Sequence, residues 1–220
     1  MAKQSPARVG RPPRELAAEV DTRILAAARA LFLENGLAGT SIDEVARLAR
    51  AGKPTIYARF ATKEALFIAV AMENADRVIG GFETYVPTGR TVEERLLNLG
   101  NVLLTQVLVE ATVDFMRLAV GEARRFPELA NRVHCQAFER AAETVARLLR
   151  EATQGDDLVN DAAFAPMRLN ETAKRFLNLA VTPLIMRALF GEDLTDLQSE
   201  IASHVAGSVG FFLAGCRNPG

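Results

Sequence analysis

Apolar residues along most of the chain recur three or four positions apart, which is the spacing of one face of an α-helix. The first such face consists of Ile24, Leu25, Ala28, Leu31 and Phe32. The helices predicted in this part of the chain span residues 21–35, 42–49, 53–60 and 62–80. No stretch alternates apolar and polar residues as a half-buried strand does. The pattern therefore predicts an all-α fold.

Longer amphipathic segments follow the turn Pro87-Thr88-Gly89. They span residues 91–110, 112–125, 127–153, 168–190 and 195–215. Pro183 lies inside the fourth of them, and a proline within a helix predicts a kink. This second part of the chain is long enough for a helical bundle of its own.

Residue types at the helix ends support the short helices. Gly36 supplies a left-handed stop for the first helix. Ser41 and Glu44 have the spacing of a capping box at the start of the second helix. Pro54 is tolerated in the first turn of the third helix, where an amide would lack an intrahelical partner. The break between the second and third helices is only three residues long, from 50 to 52.

Charge is divided unevenly along the chain. The whole chain carries −1, but residues 1–62 carry +4 and residues 63–220 carry −5. A basic N-terminal quarter on an acidic body indicates that this quarter meets a polyanion, although an excess of this size also arises by chance. Residues 1–16 are rich in Pro and Gly and read as a flexible basic arm. Its Gly10-Arg11-Pro12 either enters a minor groove of DNA or belongs to a disordered tail.

Two short helices joined by a tight break, with a preceding helix as a brace, form a helix-turn-helix. The face of the third helix that we expect to be exposed carries Lys53, Thr55, Tyr57 and Arg59. No acid occurs between Glu44 and Glu64, although this stretch holds five cations. A strip of one charge sign is expected where a protein contacts phosphates, and the alternative is a solvated face of an ordinary bundle.

Residues 40–67, TSIDEVARLARAGKPTIYARFATKEALF, resemble the DNA-binding signature of TetR-family transcriptional regulators, and the similarity extends over residues 17–67. The departures lie in the turn, where Arg50, Ala51 and Gly52 replace the usual Gly, Val and Ser. The resemblance implies that Lys53, Pro54 and Thr55 approach base edges, as Asp43 does in some members. It implies phosphate contacts for Ser41, Tyr57 and Lys63, and a base or backbone contact for Arg59. The candidate DNA-binding residues are Ser41, Arg47, Arg50, Lys53, Pro54, Thr55, Tyr57, Arg59 and Lys63.

One recognition helix reads only a few base pairs, so a dimer is expected. The last predicted helix carries a strip of small residues that suits close helix packing, namely Ser203, Gly207, Gly210 and Ala214. The alternative is that this strip packs within its own chain. Residues 114–216, with RRFPELA at 124–130 and PLIMRALFG at 183–191, resemble the C-terminal domain of an AefR-like subgroup.

Signals for a ligand or a metal are weak. Phe115, Met116, Phe138, Phe176 and Met186 are candidates to line an apolar pocket for a small apolar or amphipathic effector, and the alternative is plain core. His134 and His204 are the only histidines and have no metal-ligand spacing, so neither a metal nor a cofactor is expected. Two cysteines suit a reducing cytoplasm, and no membrane span or secretory signal is visible.

These patterns predict a basic arm (1–16), a three-helix helix-turn-helix DNA-binding domain (17–67) and a helical-bundle domain for ligand binding and dimerisation (68–220). The leading hypothesis is a ligand-responsive repressor that binds a pseudo-palindromic operator as a homodimer. An activator of the same fold and a non-catalytic helical adaptor are the alternatives. A helical-bundle hydrolase or isomerase is disfavoured, because the chain lacks a nucleophile elbow, a phosphate-binding glycine loop and a histidine-based dyad.

Overall fold

The structure, a computed structural model, describes residues 14–82, 84–155 and 162–217. These residues contain helices and turns but no strand, which confirms the all-α prediction. The chain divides into two compact units, residues 1–70 and 71–220. The division falls within one helix, between Val70 and Ala71.

The first unit is built from short helices around a small apolar core. Its helices are α1 (Arg14–Gly39), α2 (Ile42–Ala49), α3 (Lys53–Tyr57) and the beginning of α4 (Lys63–Gly80). Each contributes fully buried side chains, among them Ile24, Phe32, Val45, Ile56 and Leu66. Phe32 of α1 and Phe67 of α4 pack edge to face with ring centroids 5.3 Å apart, a favourable aromatic geometry. This core fixes α2 and α3 against α1.

The first helix is interrupted where the sequence predicts its end. Gly36 has φ 70° and ψ 173°, so the break is present, although its ψ is extended rather than left-handed helical. Leu37 is fully buried just beyond the break. The helix begins at Arg14, so the predicted arm is wrong for residues 14–16, and residues 1–13 of that arm lie outside the described residues.

The third helix is shorter than predicted. It is five residues long and ends at Tyr57 rather than near Phe60. The chain continues in a helical turn, in which the N–H of Phe60 donates to the carbonyl of Ile56 at 2.8 Å. Two residues later the hydroxyl of Thr62 accepts a hydrogen bond from the N–H of Ala65, which confirms Thr62 as the cap of α4.

The second unit is a helical bundle around a larger core. Its further helices are α5 (Val92–Val107), α6 (Glu110–Glu122), α7 (Pro127–Ala152), α8 (Leu169–Ala180), α9 (Thr182–Leu189) and α10 (Leu194–Arg217), with a 3-10 turn at Ala162–Phe164. Gly100 of α5 lies directly against Val205 of α10. A Cβ at position 100 would come within 2.7 Å of a Val205 methyl carbon, so the two helices meet where α5 has no side chain.

The kinked helix predicted over residues 168–190 is wrong, because the structure contains two helices there. The chain breaks at Val181 (φ −113°, ψ −51°), and Pro183 lies in the first turn of α9. Proline has no N–H to donate to the carbonyl of Leu179, and its ring clashes with that carbonyl in a continuous helix. The hydroxyl of Ser208 on α10 donates to this carbonyl instead, at 3.1 Å.

Among the described residues no single helix is both long and apolar enough to cross a bilayer. Joined together, α5 and α6 reach that length and composition, but the pair is bent by 71°.

Candidate nucleic-acid interface

The start of α2 is fixed by a reciprocal pair of hydrogen bonds. The Oγ atom of Ser41 accepts from the N–H of Glu44 at 3.2 Å, and the Glu44 carboxylate accepts from the N–H of Ser41 at 3.2 Å. The predicted capping box is therefore confirmed. The Glu44 carboxylate is occupied by this cap, and Ser41 itself is exposed to solvent.

The turn between α2 and α3 contains a backbone conformation that non-glycine residues rarely adopt. Arg50 has φ 50° and ψ 47°, the left-handed region, where an L-residue is disfavoured by roughly 1–2 kcal/mol. The side chains of Arg47 and Arg50 are both exposed. In the described part of the chain, neither guanidinium has an ion-pair partner. The end of α2 and the turn after it therefore present two cations that no acid of the described residues neutralises.

Two cations, Lys53 in α3 and Arg59 just after it, are each paired with an acid of a neighbouring helix. The Nζ atom of Lys53, the first residue of α3, lies 2.7 Å from a carboxylate oxygen of Asp43 on α2. This hydrogen bond raises the pKa of Lys53 above the usual lysine value. The Arg59 guanidinium pairs with Asp21 of α1 and donates to the carbonyl of Thr55 at 3.3 Å.

The exposed face predicted for the third helix is therefore only partly present. Lys53, Pro54 and Tyr57 are exposed, and Tyr57 keeps 48% of its surface in solvent. Thr55 is half-buried. The prediction of a freely exposed Arg59 is wrong, since only 24% of its side chain is exposed and its guanidinium is already held.

Lys63 connects the start of α4 to the end of α1 and the residue that follows it. Its Nζ donates to the carbonyl of Thr40 at 2.8 Å and to that of Ala38 at 3.3 Å. An ammonium has three donors, so one remains for a phosphate. The buried hydroxyl of Thr40 lies within hydrogen-bond distance of the carbonyls of Leu31 and Gly36. Lys63 and Thr40 thus hold together the turn that leads into α2.

Sequence reasoning did not identify Asp21 and Thr40 as residues that position this surface. Asp21 precedes its partner by 38 positions, and no local spacing indicates the pair. Thr40 stands next to the cap residue and has the hydroxyl of a second turn-stabilising residue, which was the available signal.

The strip predicted for dimerisation lies on the surface of the second unit. Ser203, Gly207, Gly210 and Ala214 are all exposed. A Cβ added at either glycine would meet no atom of the described residues within 4 Å. The alternative, that the strip packs within its own chain, is wrong for the part of the chain that the structure describes.

Exposed apolar residues that the sequence analysis did not assign to a dimer surface occur in the same unit. Phe211 on α10 is 75% exposed and Phe190 at the end of α9 is 85% exposed, with Leu179 and Met186 partly exposed as well. Met186 and Phe190 lie four positions apart, the spacing of one helix face, which was the available signal for these two.

The five candidate pocket residues differ widely in burial. Phe176 is fully buried and packs edge to face against Phe212, with ring centroids 5.2 Å apart. Phe115 is also buried, Met116 and Phe138 are half-buried, and Met186 is 44% exposed. An open groove of about 450 Å³ in this unit is lined by other residues, namely Met72, Cys135, Gln136, Glu139, Arg140 and Glu143. None of the five lines this groove, and their place in an effector pocket stays a prediction.

Comparison with known proteins gives matches over both units. Residues 24–70 match a family described as bacterial regulatory proteins of the tetR family, and residues 94–215 match the C-terminal domain of AefR-like transcriptional repressors. The regulator UidR of Escherichia coli K12 is 26% identical over 179 residues, which are 79% of this chain and 88% of UidR. The activator FasR of Mycolicibacterium smegmatis is 29% identical over 94 residues, 43% of this chain and 39% of FasR. The solved structure of the flavonoid-responsive regulator FrrA superposes with a TM-score of 0.69 at 29% identity, covering 90% of this chain and 97% of FrrA. These relatives are transcriptional regulators rather than enzymes.

Proposed function

Since this chain belongs to the TetR family of helix-turn-helix, DNA-binding transcriptional regulators, we propose that it is a repressor that binds a pseudo-palindromic operator as a homodimer. A small apolar or amphipathic effector that binds the second unit releases it from DNA. The cytoplasm is the compartment in which we propose that it works.

The observation that carries the DNA-binding part is the charge on α2 and the turn after it. Arg47 and Arg50 are exposed cations that no acid neutralises within the described residues, and Lys53 and Tyr57 are exposed donors on α3. Phosphate contacts need such donors, and the N-terminal residues of a recognition helix are those that reach base edges. We therefore assign phosphate contacts to Ser41, Arg47, Arg50, Tyr57 and Lys63, and base contacts to Lys53, Pro54 and Thr55.

Arg59 has a different part in this proposal. Its guanidinium pairs with Asp21 of α1 and donates to the Thr55 carbonyl of α3, so it holds α3 against α1. We propose that Arg59 acts on DNA binding by positioning α3, and that any contact of its own with DNA is secondary.

The exposed face of α10 supports the homodimer. Gly207 and Gly210 leave its backbone bare, and Phe211 places a large apolar side chain in solvent beside them. An exposed apolar strip of this kind marks an association surface, and bare glycines allow a second helix to approach closely. A second copy of this chain is the occupant that we propose, because a pseudo-palindromic operator requires two-fold symmetry in the protein.

The effector is assigned to the second unit because its bundle supplies the larger apolar core. FrrA is described as responsive to flavonoids, which are small amphipathic molecules, and this supports the effector class without fixing its identity. Effector binding shifts the protein between conformers only by its difference in affinity for the two. The favoured conformer has a spacing of recognition helices that no longer fits the operator.

An activator of the same fold is the second candidate, because one relative, FasR, is described as an activator. The experiment that tests the proposal is selection of bound duplexes from a random pool by the full chain, followed by a transcription assay from the recovered site. Two inverted half-sites about one helical turn apart and reduced transcription support a dimeric repressor. Increased transcription supports the activator, and recovery of no preferred sequence contradicts both.

A further inference from the structure

The ion pair between Asp43 and Lys53 contributes little to the stability of the fold. Their side chains are 71% and 48% exposed. Ion pairs this open to solvent contribute little to stability, since water and salt screen them. The acid also has no part in the cap of α2, because Glu44 and Ser41 complete that cap alone. The pair is therefore available to a ligand that approaches α3.

The position of the pair restricts what that ligand is. Lys53 is the first residue of α3, and the first residues of a recognition helix contact base edges in the major groove. The Asp43 carboxylate lies 2.7 Å from the Lys53 ammonium, so it reaches whatever base pair the ammonium reaches. An acceptor and a donor thus enter the groove side by side. A carboxylate that close to phosphates would be repelled, so a contact with a base edge is the favourable one.

The hydrogen-bonding capacity of the pair fits one base pair. An ammonium has three donors and a carboxylate has about four acceptor sites, so each group keeps free capacity while the contact between them persists. In the major groove a G·C pair presents guanine N7 and O6 as neighbouring acceptors, followed by the cytosine N4 amino donor. An A·T pair presents a single acceptor, adenine N7, before the adenine N6 donor, so the ammonium finds one neighbouring acceptor there instead of two.

On this geometry, and resting on the proposed DNA-binding function, we propose that Asp43 and Lys53 act as one unit that reads a single G·C pair in each half-site. The Lys53 ammonium donates to guanine O6 and N7, and the Asp43 carboxylate accepts from cytosine N4. Asp43 is thus a specificity-determining residue although it lies on α2 and not on the recognition helix.

The test uses the full chain and duplex selection, with wild type, Asp43→Ala, Asp43→Asn and Lys53→Met compared. Glu34→Gln is the control, because it removes one exposed acid from the same unit at the far end of α1. We expect the wild type and the control to select the same G·C position. Asp43→Ala and Lys53→Met lose preference at that one position by roughly tenfold to a hundredfold. Asp43→Asn shifts the preference toward adenine, since an amide pairs with adenine N6 and N7.

A double variant distinguishes one unit from two separate contacts. Asp43→Ala with Lys53→Met should lose no more preference at that position than either change alone, because one removal already disrupts the unit. The inference is overturned if Asp43→Ala selects the wild-type site and binds every duplex more tightly, since Asp43 then only offsets the charge of Lys53. Effects of the two residues at different positions overturn it too. A wild type that selects no sequence contradicts the proposed function itself, which separates the two failures. Circular dichroism of each variant shows whether it is folded.

Discussion

Arg59, just after the recognition helix, pairs with Asp21 of α1, and the same guanidinium donates to the carbonyl of Thr55 within α3. One side chain thereby joins α1 to α3. A five-residue helix has little stability of its own, because helix formation needs a costly nucleus. The orientation of α3 depends on such contacts from outside it.

Replacing Asp21 by Asn should therefore loosen α3 without unfolding the unit. The side chains of this pair are partly exposed, so we expect its loss to destabilise α3 locally by about 1 kcal/mol or less. Amide hydrogen exchange of residues 56–60 should rise by up to about fivefold. Glu19→Gln, an exposed change on the same helix, should leave this exchange unaltered. Equal exchange in both variants would show that Asp21 does not hold α3.

Replacing Arg50 by Gly should change stability and DNA binding in opposite directions. Glycine adopts the left-handed conformation of this turn without strain, so the free energy of unfolding should rise by about 1 kcal/mol. Loss of one phosphate contact should reduce the slope of log affinity against log salt by about one unit. Arg50→Lys is the matched control, because it keeps both the charge and the strain. An unchanged slope in the glycine variant would remove Arg50 from the DNA contacts.

The substitution Gly207→Glu should separate the proposed dimer without disturbing the fold of one chain. Nothing among the described residues lies within 4 Å of a Cβ at Gly207, so the single chain has room for the side chain. A charge on each copy would be buried without a partner at the interface, which is strongly unfavourable. Gly121→Glu is the matched control, because Gly121 is exposed on α6 with equally open surroundings. Sedimentation should give a monomer for the first variant only, and two dimers would contradict the assignment of this face.

Acid should destabilise the second unit. Hydrogen bonds from Lys174 lower the pKa of Glu139 below its usual 4.5, and Arg187 lowers the pKa of Glu200 likewise. A carboxyl whose folded pKa is depressed stabilises the fold above its unfolded value, and this stabilisation is lost as pH falls through the folded value. The loss should therefore begin near pH 4.5 and grow below it.

Urea unfolding followed by circular dichroism at neutral pH and below pH 4.5 measures this loss. Glu139→Gln should lose less stability on acidification than the wild type does, since it has no carboxyl to protonate at that position. Glu143→Gln, at an exposed position of the same helix, should behave as the wild type. The same acid dependence in all three proteins would contradict the contribution of the Glu139 pair.

Local signals predicted the elements whose ends are determined by nearby residues. The second helix has the predicted bounds because the Ser41–Glu44 cap lies within four residues of sequence. The end of α3 and the partner of Arg59 were not predictable in this way, because packing on α1 and α2 decides them. The break at Val181 was predicted only as a kink. The carbonyl of Leu179, to which Pro183 cannot donate, accepts a hydrogen bond from Ser208 on α10, and this contact is not visible in the local sequence.

The sequence predicted which residue types occur at the candidate interface, but not the contacts that they make with each other. Its cations follow from the acid-free stretch, but spacing alone does not reveal that Lys53 and Arg59 already have acidic partners. For the pocket residues, apolar character did not predict burial. Phe176 and Met186 have similar apolar character, but Phe176 is fully buried and Met186 is exposed.

The contact of Gly100 with Val205 makes mutational tolerance uneven among the glycines of the second unit. At position 100 a single methyl group would push two helices apart, so Gly100→Ala should yield a temperature-sensitive allele in a genetic screen. The bare surface of Gly207 would accept that same methyl within the chain. Evolutionary drift is therefore constrained at Gly100 by the interior of one molecule, whereas at Gly207 it is limited by the proposed second copy.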